Sequence, residues 1–406
     1  MNSHRLGKRG DENRVTSLLS AIGKLTAMST SHPAEDSQGE PSFQHSSPFS
    51  KEAVPTPITA EDRLIADFTA GLQAHSRVLV GSGDDCALLA HPDSRSVIST
   101  DVLVEGIHFR RDWMSLEQIG RRAAAQNAAD IAAMGASAHS AVAAVTIPKD
   151  IGKAEINALA TGLAKGLESY GYALVGGDLS SGPCLQIAVT VIGDLQGRPP
   201  LLRCEAQAGD LVYFAGNLGD SAAGLALLER FQSPQKAINA PTLTALRDLA
   251  TEALSHYQVP QVPAELAPKL AEAGAHALMD VSDGLSRDGA KIAAASGVVL
   301  NLFRSRLEKY TQRLAGLADF LDANCWDWVL GGGEDHGLLC TAPAGLSVPG
   351  FTAIGEVLPA KCAATIATTT TKDADSIDRD AQDSRQLYLL VDGKPYDQQG
   401  WDHFSA

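Results

Sequence analysis

AHSAVAAVTIPKDIGKAEINALATGLAKGLESYGYALVGGD, residues 138–178, holds the alternation on which the fold turns. AHSAVAAVTIP (138–148) predicts a strand, KAEINALATGLAKGLESYG (153–171) a long amphipathic helix, and YALVGGD (172–178) a strand ending in glycines. Upstream lie the strand-like runs RVLV (77–80) and SVIS (96–99) and a helix over 115–135; downstream, LQIAVTVIGDL (185–195) is another long strand. This mixed β/α order predicts one α/β domain over 58–195. LRCEAQAGDLVYFAGNLGDSAAGLALLE (202–229) opens a second, over 196–406, with strand, glycine turn and helix in succession. A helical stretch broken by prolines (233–275) follows, and MDVSDGLSRDGAKIAAASGV (279–298) again reads strand, glycine turn, helix. Residues 1–57 are rich in Ser, Pro, His and charge and bury too little to offset their ordering entropy, which predicts a disordered extension. The acidic, low-complexity stretch 368–384 predicts a surface loop.

A chain of 406 residues is long enough for two ordinary domains. Hydrophobic residues make up 44% and aromatics only 5%, which suits an Ala/Val/Leu-rich α/β protein rather than a sandwich. The net charge of -15 leaves no broad basic stripe for a nucleic-acid backbone. An anionic substrate stays open if metal ions intervene. Six cysteines without a CxxC pair predict thiols in a reducing compartment rather than a disulfide frame or zinc site. With no run of eighteen apolar residues and no signal-peptide core, the expectation is a soluble, cytoplasmic protein.

The chemistry lies in the carboxylates. GSGDDCALL (81–89) sets Asp84 and Asp85 behind two glycines where a strand runs out. Asp101 follows SVIST, and Asp130 lies in RRAAAQNAADIAAMGA, where Asn127, Asp130 and Met134 share one face of an Ala-rich helix. Asp178 closes YALVGGD, and Asp280 and Asp283 sit in MDVSDGL. All lie beside apolar or Ala-rich runs with few Lys or Arg nearby, and a desolvated carboxylate must be paired or coordinate a metal. Hard oxygen ligands suit Mg²⁺, and several such ions would turn an acidic cleft into a polyphosphate site. Neither a GxxxxGK[ST] loop nor a GxGxxG turn leading into a helix is present. The turns GGD, GNLGDSAAG and SDG offer backbone N–H groups to phosphates at helix starts. GGGEDHGLLC (331–340) places Glu334 and Asp335 in either a plain turn or a substrate contact, and His108 in EGIHF is either a packed histidine or a contact to a phosphate or ring. No Ser-His-Asp or Cys-His arrangement favours nucleophilic catalysis.

Taken in order, GSGDDCALL, ISTDVLVEGIHF, NAADIAAMGA, VGGDLSSGP, GNLGDSAAGLALL, DVSDGL, GGGEDHGLL and GWDHF (400–404) resemble the motifs of thiamine-monophosphate kinase, of the ATP-binding superfamily that also holds aminoimidazole ribonucleotide synthetase. The resemblance implies an α/β (α+β) protein of two domains, with mixed sheets flanked by helices and a homodimer formed through the N-terminal domain. It implies ATP-dependent phosphorylation of thiamine monophosphate to thiamine diphosphate with ADP release, and no nucleic-acid or membrane partner. Carried over motif by motif, Asp85, Ser99, Thr100, Asp101, Asp130, Asp178, Asp280 and Asp283 form a Mg²⁺ shell, with Asp101, Asp130 and Asp283 at the reacting phosphates. Gly177, Asp178, Arg203 and Ser282 contact ATP, with Tyr170 near the adenine; His108, Glu334 and Phe404 hold the thiamine end; K⁺ is a further candidate ion. The chain departs from the family pattern at Leu179-Ser180, where two threonines are common, and at His336-Gly337, where Tyr-Glu is usual. The alternatives are another ATP-dependent synthetase of the superfamily and a nucleotide-binding member without turnover.

Overall fold

The structure, a computed structural model, describes residues 95–360 and 388–396 together with the strand backbones at 78–80 and 87–90. The predicted N-terminal extension, Asp84, Asp85, Phe404 and the acidic 368–384 stretch lie outside the described residues.

The first sheet is formed by β1 (Val78–Val80), β2 (Ala87–Ala90), β3 (Arg95–Val104), β4 (Ser137–Ile147), β5 (Ala173–Ser181) and β6 (Gln186–Asp194), in the order β1-β2-β3-β6-β4-β5. Helices α1 (Leu116–Ala133) and α2 (Lys153–Ser169) cover one face. Neighbouring strands are antiparallel except β4 and β5. That pair runs parallel because α2 carries the chain back across the sheet, the crossover that 138–178 spells out. The strand predicted to end in glycines instead continues through them to Ser181. A Cβ on Gly177 would overlap the Ala143 carbonyl oxygen, so glycine keeps the two strands in register there.

Helix α1 begins at a capping box: Ser115 Oγ accepts from the Gln118 N–H at 3.2 Å, and the Gln118 side chain accepts from the Ser115 N–H at 2.8 Å. Its alanines, from Ala123 to Ala133, are all buried because the helix lies between two layers. One flank packs on β3, β6 and α2, the other on the second sheet and the segment before it. Larger side chains would hold the layers apart. The closest approach is at Gly120 and Gly162, where a Cβ on either would run into the backbone of the partner helix.

The second sheet contains β7 (Leu211–Ala215), β8 (Ala277–Val281), β9 (Val298–Leu302), β10 (Gly337–Ala342), β11 (Thr352–Pro359), β12 (Leu389–Val391) and β13 (Lys394–Pro395), in the order β13-β12-β9-β11-β7-β10-β8. β8, β9 and β10 are buried along their whole length, so apolar residues fill both of their faces and the polar Asp280, Asn301 and Thr341 are buried with them. Around the sheet lie α3 (Asp220–Phe231), α4 (Pro234–Ile238), α5 (Arg247–Gln258), α6 (Ala267–Glu272), α7 (Leu285–Ser296), α8 (Arg304–Leu321) and α9 (Cys325–Gly331). The proline-broken stretch resolves into α4, α5 and α6, with Pro234 in the first turn of α4, where a missing N–H costs nothing. One apolar core runs from the first sheet through α1 and α2 to Tyr257 and Leu314; a second fills the other sheet around Phe214, Met279 and Leu300. Among the described residues, no helix is long and apolar enough to cross a membrane.

Candidate active site

The two layers meet at a polar stripe on α1. Arg122, Gln126 and Asp130 follow one another at four-residue spacing and so line one ridge of the helix. Each reaches a residue of the candidate site. β3 turns Val97, Ser99, Asp101 and Leu103 toward α1 and Ile98, Thr100 and Val102 away from it. Ser99 Oγ donates to Asp130 at 2.6 Å. Asp101 accepts from the Gln126 amide and from the Val102 N–H at 2.7 Å, both neutral donors. Burial, aided by the charge of nearby Glu334, pushes the Asp101 carboxyl from 3.8 up to about 6.

The GGGEDHG loop supplies the other wall. The Glu334 N–H donates to the Ser282 carbonyl at 2.7 Å and the His336 N–H to the Val281 carbonyl at 2.9 Å, which pins the loop to the end of β8. Glu334 and His336 have φ of 68° and 51°, and between them the chain turns alternate side chains in opposite directions. Asp335, 0% exposed, points into the start of α3 and accepts from the Gly219 N–H at 2.5 Å and the Ser221 N–H at 2.9 Å. Glu334 points toward α1, where Arg122 Nη2 donates to it while Arg122 Nη1 donates to the Tyr257 carbonyl. The Arg122 guanidinium also lies 5.1 Å from the Tyr257 ring centre.

His336, 1% exposed, stands between two carboxylates: Nδ1 is 3.1 Å from Asp280 Oδ2 and Nε2 is 3.8 Å from Glu334 Oε2. Burial by itself would lower the imidazole pKa, but Asp280 and Glu334 outweigh it and raise it to about 10. Burial would likewise raise Glu334, yet Arg122 and His336 hold it at about 2. At neutral pH the seam thus runs Arg122 cation, Glu334 anion, His336 cation, then the Asp280 carboxyl group, from α1 to β8.

The remaining candidates are placed as follows. Asp283 is paired with Lys291 Nζ at 2.5 Å, and Lys291 also contacts Asp288 at 3.1 Å. The expectation that these carboxylates lack cationic partners therefore fails at Asp283 and at Asp280. The phosphate-cradle expectation also changes. The start of α3 in GNLGDSAAG is filled by Asp335, the Asp283 N–H in SDG donates to Asp288 at 2.8 Å, and GGD lies inside β5 rather than at a helix start. Asp178 is exposed on β5, beside Ser180 Oγ at 3.0 Å. Asp101, Val189, Ala143 and Gly177 share one row across four strands, so Asp178 lies roughly 14 Å from Asp101, three interstrand spacings away. Thr100 Oγ1 donates to the Val189 carbonyl at 3.1 Å on the opposite face from Asp101. Tyr170 Oη donates to the Pro260 carbonyl and accepts from the Val262 N–H, each at 3.4 Å. The Arg203 carbonyl accepts from Ser296 Oγ at 2.8 Å. His108 Nδ1 accepts from the Val104 N–H at 2.9 Å, and the ring is near enough to Glu334 to help hold that carboxylate down. Among the described residues, no group of three or more His, Cys, Asp or Glu side chains stands close enough to share a metal ion. Arg122, Gln126, Lys291 and His336 were not among the sequence candidates; only His336, as a departure from the family pattern, carried a signal.

The family model described as AIR synthase related protein, N-terminal domain, matches residues 83–195, the stretch that carries β2 to β6 with α1 and α2. The thiamine-monophosphate kinase of Mycobacterium tuberculosis (strain CDC 1551 / Oshkosh) is 41% identical over 297 residues, 73% of this chain and 83% of that protein. That of Corynebacterium glutamicum is 40% identical over 288 residues, 68% of this chain and 81% of that protein. The chain belongs to the thiamine-monophosphate kinase family. Among solved structures, AaThiL complexed with AMPPCP and TMP aligns with a TM-score of 0.67 at 26% identity, over 84% of this chain and 95% of that one. Thiamine monophosphate kinase from Aquifex aeolicus aligns with a TM-score of 0.63 at 25% identity, over 82% and 96%.

Proposed function

We propose that the protein transfers the γ-phosphoryl group of ATP to thiamine monophosphate, giving thiamine diphosphate and ADP. The observation that carries this reading is the convergence at one seam of Asp101 from the first sheet with Glu334 and Asp280 from the second layer. Phosphoryl transfer asks chiefly for positioning and charge neutralisation. Carboxylate oxygens are the donors Mg²⁺ takes: Asp101, desolvated and bonded by neutral donors, Asp130 on the adjoining ridge and Asp280 at the end of β8 would draw together to hold the ion, since as they stand no three of the described side chains are close enough to share one. Ser99, bonded to Asp130, and Asp85 are further proposed members, and Asp283 would give up Lys291 to join them; Thr100, whose Oγ1 faces the other side of β3, and Asp178, three strands from Asp101, stand apart from this set. Bound Mg²⁺ supplies charge neutralisation for the triphosphate.

In this reading Gly177, Asp178, Arg203 and Ser282, with Tyr170, orient ATP, and His108, Glu334 and Phe404 orient the thiamine end. The acceptor oxygen of thiamine monophosphate is already anionic near neutral pH, so direct in-line attack needs no general base and no phospho-enzyme. We take the domain boundary at 195/196, a reading supported by its place in the connection between β6 and β7. We place the homodimer contact on the open face of the first sheet, where Val102 and Val142 are 41% and 40% exposed.

Purified protein incubated with ATP, Mg²⁺ and thiamine monophosphate is expected to form thiamine diphosphate, and Asp101→Ala to abolish it. Nucleotide binding with no product would instead favour the non-turnover reading, and a trapped phospho-aspartate would contradict direct transfer. Val142→Glu is expected to shift the protein to monomer in analytical ultracentrifugation.

A further inference from the structure

The proposed thiamine contact, Glu334, and the proposed metal contact, Asp280, come from different elements, yet one ring touches both. His336 is buried, held in a left-handed backbone conformation by its N–H bond to Val281, and directs one nitrogen to each carboxylate. The family pattern usually has tyrosine here, and a phenol carries a single polar atom at its tip. An imidazole carries two on opposite edges, so it can span carboxylates that a phenol cannot join. Glu334 already has one anchor, Arg122, which reaches it from α1. One anchor leaves a carboxylate free to swing about that contact; a second charge from another direction, here the His336 Nε2 at 3.8 Å, narrows that freedom.

We propose that His336 is a positioning residue for acceptor recognition: by tying Glu334 to Asp280 it sets the carboxylate offered to the thiamine end at a fixed place relative to the phosphate end. This rests on the reading of Glu334 as a substrate contact. The position acts through Glu334, so its loss changes the affinity for thiamine monophosphate and spares that for ATP.

The test is the KM split of His336→Asn. Asparagine tolerates a positive φ, and its amide can still reach Asp280, but it lacks the far nitrogen that faces Glu334. The KM for thiamine monophosphate is expected to rise about tenfold, the scale of one close charge pair, with the KM for ATP nearly unchanged and the Tm lowered, because a buried cation between two carboxylates is lost. Combined with Glu334→Gln, His336→Asn is expected to add nothing, because both act on one contact. An unchanged KM for thiamine monophosphate in His336→Asn, an equal rise in both KM values, or additive losses in the double variant would each overturn the proposal. If Glu334→Gln leaves the KM for thiamine monophosphate unchanged, the reading of Glu334 falls and the proposal with it; if it raises that KM while His336→Asn does not, the proposal alone falls. Should His336→Asn fail to fold, His336→Tyr, which restores the usual family residue, is expected to show the same split, and wild-type values there would overturn the proposal.

Discussion

The two flanks of α1 carry opposite kinds of constraint. Toward α2 and the first sheet the helix presents Gly120, Ala124 and Ile131, and what matters there is size: Ala124 touches the space above Gly166, and Ile131 packs over Gly193. Along the neighbouring ridge it presents Arg122, Gln126 and Asp130, and what matters there is charge and direction, because Arg122 reaches Glu334 and the Tyr257 carbonyl in the second layer while Gln126 and Asp130 meet Asp101 and Ser99 on β3. A packing flank resists added volume but is indifferent to which apolar group supplies it. A polar ridge accepts modest changes of volume but not the loss of a partner, since that strands a buried group.

The sharpest way to separate the two flanks is Asp101→Asn. The kcat is expected to fall by about 10²–10³, the scale of removing one transition-state electrostatic group, while the Tm holds or rises because burial disfavours the charged carboxylate. A joint loss of activity and Tm would move Asp101 to the structural side of the comparison. Next in size, Arg122→Met retains the aliphatic stem but removes the nearer of the two cations beside Glu334, at an expected cost of about 2 kcal/mol in urea unfolding, less than for a fully buried pair because Glu334 is 32% exposed; a cost under about 1 kcal/mol would make this an ordinary surface pair. Gly162→Ala tests the other flank. It is expected to cost about 1–3 kcal/mol by forcing α1 and α2 apart, with kcat per folded molecule retained. Lost activity without lost stability would show that the packing flank also sets the site.

The smallest effect is in pH. Glu334 is held below its ordinary value, at about 2 instead of 4.5, so its ionised form stabilises the fold above pH 4.5, and that contribution fades as pH falls from 4.5 toward 2. The stability gap between wild type and Glu334→Gln is therefore expected to be constant between about pH 4.5 and 6.5, to close below pH 4.5, and to shrink again above 6.5 as His336, which Glu334 helps keep charged, loses its proton. A gap that stays constant down to pH 2 would show that the seam does not hold this charge.

Much of this was legible in advance. Alternation and helical spacing within 138–178 gave β4, α2 and β5, and the motifs single out Asp101, Asp130 and Glu334, each of which lies on or against the polar ridge of α1. The errors share a cause. The glycine turn before α3 has open amides as a sequence, but in the fold Asp335, more than a hundred residues on, fills them. The carboxylates of MDVSDGL looked unpaired because His336 and the helical register of Lys291 bring their partners from outside the motif.

The sequence by itself determined the order of strands and helices, the small-residue flank of α1 and the family, because these depend on local periodicity and on residues read in order. Only the tertiary structure decided partners. Arg122 and Glu334 are 212 positions apart, and no local spacing relates them. Glu334 and Asp335 are adjacent carboxylates, indistinguishable by type. The pinned, left-handed turn sends one toward α1 and the seam and buries the other as a helix cap, and direction at that scale is set by what the chain packs against.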